Sequence, residues 1–100
     1  MSFATNMSDL HTSKEVSDQL ETIRVQLSKI HHDLNNPMSV ISGNVELLAE
    51  LTKALGVEGE LGGPLEDVAR AVDQMADNAD RLLAVRGLLG ELNEQLNSAS

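Results

Sequence analysis

Apolar residues recur along the first half of the chain in steps that mostly alternate between four and three. This spacing aligns them along one side of an α-helix, as in the seam of a coiled coil. The series is Val16, Leu20, Ile23, Leu27, Ile30, Leu34, Met38, Ile41, Val45, Leu48 and Leu55. It predicts a first helix over about residues 13–55, with Ser13 or Ser17 as a candidate N-cap.

A second periodic segment follows a glycine-rich break. Residues 56–63 contain four glycines and are followed by Pro64, a composition typical of a loop. Pro64 suits the first turn of a helix. The second apolar series is Leu65, Val68, Val72, Met75, Ala79, Leu82, Val85, Leu89, Leu92 and Leu96. We therefore predict a loop over residues 56–63 and a second helix over about residues 64–97.

Two helices joined by a short loop predict an all-α fold, an antiparallel helical hairpin. One hairpin buries a single seam, which leaves Leu48, Leu83 and Leu88 without enough cover. Two hairpins related by a twofold axis would close the core as a four-helix bundle, so we expect a homodimer. The polar residues 1–12 are expected to be disordered or frayed.

The composition fits a small helical domain. Phe3 is the one aromatic residue among 100, and there is no cysteine, so no disulfide or thiolate metal site is available. The net charge of −9 argues against nucleic acid or an anionic membrane as a partner. No run approaches the roughly 18 apolar residues of a membrane span, and we expect a cytoplasmic protein.

Residues 31–37 break several helix preferences at once, because two asparagines and a proline stand in the middle of a helix. Pro37 removes the hydrogen bond to the Asp33 carbonyl, at a cost of roughly 3 kcal/mol. Local rules broken inside an otherwise consistent element indicate a functional site. In the heptad register, His32 falls at the outer position f, and Asn36 lies about 6 Å away on the same face.

Residues 32–43, His-Asp-Leu-Asn-Asn-Pro-Met-Ser-Val-Ile-Ser-Gly, resemble the H-box of the dimerisation and histidine-phosphotransfer domain of sensor histidine kinases. That box reads His, Glu or Asp, Leu, any residue, Thr or Asn, Pro, Leu, with a glycine further on. The resemblance extends over roughly residues 19–96. It implies that His32 accepts a phosphoryl group, that Asp33 orients the ring and takes its proton, that Asn36 holds a water for dephosphorylating the partner, and that Pro37 kinks the helix.

The resemblance also implies a response-regulator receiver domain as a partner. Such a domain would supply Mg²⁺ and dock along Ser39, Val40, Gly43 and Asn44, while this chain binds no metal or other cofactor itself. The ATP-binding boxes of the family's kinases are absent from these 100 residues. We therefore expect a phosphotransferase-type protein that is not an autonomous kinase and that depends on a donor such as a separate ATP-binding domain. The initiating Met and polar start favour a complete protein over a kinase fragment.

The predicted loop position determines the level of the two helices, that is, which residues of the second helix lie beside a given residue of the first. A loop near residue 60 would bring His32 level with Leu88, and Gly87 and Gly90 would lie near the site. The outer positions 39–44 would then face residues 77–81 of the second helix.

The sequence is compatible with several alternatives. His31, at the flanking position e, is a competing acceptor, although the motif register favours His32. A metal site shared by the two histidines is disfavoured, because neighbouring residues point in different directions on a helix. The chain could instead be a non-catalytic dimerisation or scaffold module, or a kinase inhibitor, with a relic H-box. It could also act as a phosphatase through Asn36 alone.

Overall fold

Two long helices make up the part of the chain that the structure describes. The computed structural model describes residues 3–99, with side chains for residues 12–98; residues 1, 2 and 100 lie outside it. Helix α1 is Phe3–Leu55 and helix α2 is Glu58–Ala99, and no strand occurs within residues 3–99. The predicted all-α helical hairpin is confirmed.

The first helix begins at Phe3, earlier than the predicted start near Ser13. No glycine or proline precedes Pro37, so no backbone-breaking residue stops the helix on its N-terminal side. Ser17, a candidate cap, lies inside α1, and its hydroxyl donates a hydrogen bond to the side-chain oxygen of Asn93. Of the segment predicted to be frayed, residues 1–2 and the side chains of residues 3–11 are outside the described part.

The connection between the helices consists of Gly56 and Val57 alone. Gly56 has a φ of 71°, a left-handed conformation that glycine adopts without a steric penalty. Its amide donates to the Lys53 carbonyl at 3.2 Å, and the Val57 amide donates to the Thr52 carbonyl at 3.0 Å. These two bonds form a Schellman motif, which satisfies carbonyls at the end of α1 and reverses the chain.

The second helix starts six residues before Pro64, so the predicted loop over residues 56–63 is too long. The Val57 carbonyl accepts hydrogen bonds from the amides of Glu60 and Leu61, at 3.2 and 3.1 Å. Glu58 and Glu60 place negative charge in the first turn, where it stabilises the positive end of the helix. Glycines weaken a helix intrinsically, but here the capping contacts and the acidic first turn favour it, and Pro64 lies inside α2.

The chain divides into two compact units, each containing a stretch of both helices. One unit joins the chain up to Ile30 with the chain from Leu82 onward, and polar groups meet across its helices. The Arg86 guanidinium donates to the Ser28 hydroxyl at 2.7 Å. The Arg24 guanidinium lies so close to Gly90 that a Cβ there would stand 3.1 Å from its central carbon.

The other unit, His31–Arg81, has a small apolar core. Met38, Val72 and Ala79 are buried, and Ala76 packs against them. Nearer the connection, Thr52 is also buried, and its hydroxyl bonds to carbonyls of its own helix. The buried hydroxyl is therefore satisfied, as a polar group inside a protein must be.

Many large apolar side chains of the predicted stripes stay exposed in the single chain. They include Val16, Ile23, Ile30, Leu34, Ile41, Leu48, Val68, Met75, Val85 and Leu92. The face of α1 that contacts α2 contains Met38 of the predicted stripe together with three polar residues outside it, Ser17, Arg24 and Thr52, and these four positions are separated by multiples of seven residues. The helix therefore has two adjacent faces, one that contacts α2 and one apolar face that a single chain leaves open.

Candidate functional site

His32 stands on the outer surface of α1, as its heptad position predicted. Its side chain is 76% exposed, and its Nδ1 lies 3.6 Å from Oδ1 of Asp33, whose side chain is 60% exposed. A carboxylate can only accept a proton or a hydrogen bond, so it favours the ring form that carries hydrogen on Nδ1. In that form the lone pair is on Nε2.

His31, the preceding residue, is in a different environment. Its side chain is only 18% exposed, and it lies between the two helices of its unit. Its Nε2 is 3.3 Å from Oδ1 of Asp80 on α2, and its Nδ1 is 3.4 Å from Nδ2 of Asn35, one turn further along α1. Both ring nitrogens therefore have partners within hydrogen-bond reach.

These partners define one ring form of neutral His31. Asp80 is an acceptor, so His31 Nε2 must carry the hydrogen. The neutral ring would then have its lone pair on Nδ1, 3.4 Å from the Asn35 amide nitrogen, which can donate to it. The sequence-based prediction missed Asn35 and Asp80. The seven-residue spacing of Arg24, His31 and Met38 could have indicated that His31 shares the face of α1 that contacts α2.

Asn36 and Pro37 follow on the exposed side of α1. The helix runs through Pro37 without interruption, although a proline cannot donate the usual bond to the carbonyl four residues earlier. That carbonyl belongs to Asp33, the acid next to His32. The predicted kink at Pro37 and the catalytic role of Asn36 remain predictions.

Four residues predicted to bind a partner, Ser39, Val40, Gly43 and Asn44, are all exposed. Val40 is 63% exposed, and a Cβ at Gly43 would meet no atom within 4 Å. The Asn44 side chain donates to the Val40 carbonyl at 3.0 Å. This part of α1 is an open surface with little side-chain bulk at Gly43.

The predicted level of the helices is wrong. The residue of α2 that reaches His31 is Asp80, not a residue near Leu88. Gly90, which was expected near the site, lies against Arg24 instead. The two-residue connection explains the difference, because a shorter loop brings earlier residues of α2 alongside a given turn of α1. For the same reason, Asp80, within the segment 77–81 that was expected opposite residues 39–44, lies instead against His31, about two turns earlier along α1.

The family model of the His Kinase A (phospho-acceptor) domain matches residues 22–86, which is more than half of the chain. The chain belongs to this family. No curated protein and no solved structure gave a significant match.

Membership of the His Kinase A family makes this chain a phospho-acceptor domain of two-component signal transduction. The match includes both histidines, Asp33, Asn36 and Asp80, and it covers all of His31–Arg81. No ATP-binding domain lies within the 100 residues.

Two further features of the phospho-acceptor domain concern metals and membranes. Among the described side chains, no three His, Asp or Glu residues gather closely enough to hold a metal ion. Neither helix, over its described residues, is long and apolar enough to cross a membrane.

Proposed function

We propose that this domain carries a phosphoryl group on His32 and exchanges it with an aspartate of a response-regulator receiver domain. The observation that supports this most directly is the contrast between the two histidines. His32 has an exposed ring with Asp33 beside Nδ1, whereas the ring of His31 is held between the helices. A reaction with another protein requires an accessible nucleophile.

The proposed transfer is a displacement at phosphorus. The Nε2 lone pair of His32 attacks the phosphorus of an aspartyl phosphate on the receiver, in line with the carboxylate oxygen that leaves. A P–N bond forms, a P–O bond breaks, and the receiver aspartate regains its charge. The Nδ1 proton passes toward the Asp33 carboxylate or to water. Such reactions need positioning and charge neutralisation more than covalent help, and the receiver's Mg²⁺ would supply most of the charge neutralisation.

Asn36 has a second proposed role at the same surface. It is exposed and lies one turn beyond His32. Its amide could orient a water for hydrolysis of the phosphoryl group on the receiver. Replacing Asn36 separately from His32 distinguishes this phosphatase activity from transfer.

We propose that the receiver docks along the open stretch of α1 beyond the site, with contacts to Ser39, Val40, Gly43 and Asn44. The exposed Val40 offers an apolar contact, and Gly43 allows the partner's backbone to come close. This proposal is specific to the outer face of α1 and leaves the apolar face that contains Ile41 and Leu48 available for another contact.

We propose that a second copy of the chain covers that apolar face, as a homodimer. The exposed stripe occurs on both helices, with Ile41 and Leu48 on α1 and Val68 and Met75 on α2. Apolar side chains at heptad spacing on two neighbouring helices are the usual interior of a four-helix bundle. Covering them removes apolar surface from water, which stabilises association.

Acceptor function can be tested without knowing the partner. Phosphoramidate is a small donor whose P–N bond breaks to release ammonia as a histidine nitrogen attacks phosphorus. We expect labelling of the wild-type protein at His32, mapped by mass spectrometry at neutral or basic pH, and loss of that label in His32→Ala. Transfer is then tested with receiver domains charged by acetyl phosphate. Labelling of His32→Ala to the wild-type extent would contradict the proposal.

The non-catalytic alternative makes the opposite prediction. A scaffold or inhibitor module with a relic motif would bind its partner equally well with or without the His32→Ala substitution, and the wild-type protein would not become labelled. Binding that is unchanged in His32→Ala, together with no labelling of the wild-type protein, would favour that alternative.

A further inference from the structure

Two histidines stand side by side in this domain, and a phosphoryl donor must react with one of them. We infer that Asp80, on the other helix, determines which histidine reacts by holding His31 in a form that presents no free lone pair. This inference rests on the proposed acceptor function of the domain. It assigns to Asp80 a role in specificity, exerted through His31.

The geometry around His31 leaves neither nitrogen available. Nε2 lies 3.3 Å from the Asp80 carboxylate, which favours a hydrogen on that nitrogen, and in this tautomer the Nδ1 lone pair would accept from the Asn35 amide nitrogen, 3.4 Å away. A nucleophilic nitrogen needs an unoccupied lone pair. With 18% of its side chain exposed, His31 also has little surface through which a donor could approach.

His32 has the opposite arrangement. Its Asp33 carboxylate is on the Nδ1 side at 3.6 Å, so the carboxylate favours hydrogen on Nδ1 and leaves the lone pair on Nε2. The His32 side chain is 76% exposed, so a donor can approach the ring from solvent. The two neighbouring rings thus have carboxylates beside different nitrogens, Nε2 in His31 and Nδ1 in His32, and this arrangement favours opposite tautomers in the two rings.

Asp80 is the member of the network whose removal releases His31. Without the carboxylate, Nε2 no longer needs to carry the hydrogen, and the hydrogen can move to Nδ1. Rotation of the Asn35 amide then presents its oxygen to Nδ1, so no hydrogen bond is lost on that side. The Nε2 lone pair becomes free on the side that Asp80 occupied, which is open to solvent because the Asp80 side chain is itself 73% exposed.

The experiment labels four proteins with phosphoramidate: the wild type, His32→Ala, His32→Ala with Asp80→Ala, and His32→Ala with Asp73→Ala. Asp73 is the matched control, because it is another exposed carboxylate of α2, seven residues before Asp80. Its removal changes the net charge equally without touching His31. Circular dichroism verifies that each variant remains helical. We expect this result because the replaced side chains are exposed and contribute little to packing.

We expect the wild type to be labelled at His32 and the His32→Ala protein to be labelled only weakly. Asp80→Ala in that background should increase labelling at His31 by about tenfold or more, since a hydrogen bond to a charged group is released. Asp73→Ala should leave labelling at the level of His32→Ala. Equal labelling of His31 with and without Asp80 would overturn the inference.

The two proposals fail in different ways. Labelling of the wild type at His32, with no gain at His31 on removing Asp80, refutes only the role of Asp80. Labelling at His31 that appears on removing Asp80, while the wild type stays unlabelled, refutes the acceptor role of His32 and supports that of Asp80. No labelling of any variant refutes both.

Nuclear magnetic resonance of the imidazole nitrogens gives a readout that needs no donor. In the wild type, long-range ¹H–¹⁵N spectra should show His31 with hydrogen on Nε2 and His32 favouring hydrogen on Nδ1. Asp80→Ala should shift His31 toward hydrogen on Nδ1 and leave His32 unchanged. Free averaging of the His31 tautomers in the wild type would contradict the inference directly.

Discussion

At the scale of single residues, the site depends on the difference between two adjacent histidines. The sequence predicted the exposure of His32, because an outer heptad position follows from apolar residues on either side of it. It did not predict that His31 contacts α2, because the apolar stripe was interpreted as one seam. Polar residues at heptad spacing, such as Arg24 and His31, are not recognised as contact residues when only apolar positions are counted.

Replacing each histidine by alanine should separate structure from chemistry. His31→Ala removes the contacts with Asp80 and Asn35, so we expect the free energy of unfolding to fall by about 1–3 kcal/mol, while His32 remains labelled. His32→Ala removes an exposed ring and should change stability by less than about 0.5 kcal/mol. Urea denaturation followed by circular dichroism measures both. A larger loss of stability in His32→Ala than in His31→Ala would contradict the assignment of the two environments.

At the scale of elements, the helices were predictable and their junction was not. Periodicity over many turns identifies a helix reliably, and α1 ends at Leu55, where the pattern ends. Residues 58–63 are helical in spite of three glycines. Intrinsic preference favoured a loop there, but the Schellman motif at Gly56 and the acidic first turn of α2 outweighed it. That local outcome shifted the level of α2 and thereby determined which residue meets His31.

Alanine in place of glycine should have opposite effects on the two sides of this junction. At Gly56 the φ of 71° disfavours a side chain, so Gly56→Ala should destabilise the protein by about 1 kcal/mol. At Gly62 the backbone is helical and a Cβ would meet no atom within 4 Å, so Gly62→Ala should stabilise it by about 1 kcal/mol. Thermal or urea unfolding of the two variants measures the signs. Destabilisation by both would contradict a helical backbone at Gly62, and stabilisation by both would contradict the left-handed conformation of Gly56.

At the scale of the whole molecule, the sequence pattern and the structure agree that a single chain leaves much apolar surface exposed. Few side chains are buried among the described residues, and the buried apolar ones are Leu20, Met38, Val72 and Ala79. The apolar pattern contains more residues than one interhelical contact can cover, which is why the sequence alone predicted association. The sequence did not predict which apolar residues contact α2 and which lie on the open face, because this division depends on which heptad positions of α1 meet α2.

The proposed homodimer can be tested with two neighbouring leucines on different faces of α1. Leu48 continues the stripe of Leu34 and Ile41 at intervals of seven residues and is 48% exposed, whereas Leu47 is 55% exposed and outside that stripe. Leu48→Glu would place a charge in the proposed interface, so we expect the dimer dissociation constant to rise by about a hundredfold or more. Leu47→Glu adds the same charge one residue away and should leave the constant nearly unchanged.

Sedimentation equilibrium measures the dissociation constants of the wild type and of both variants. At about 0.15 M salt, exposed charges are screened beyond about 8 Å, so the comparison separates a local effect of Leu48 from repulsion between two acidic chains. Equal weakening by both substitutions would mean that charge alone opposes association, and a monomeric wild type would mean that something other than a second copy covers the apolar face.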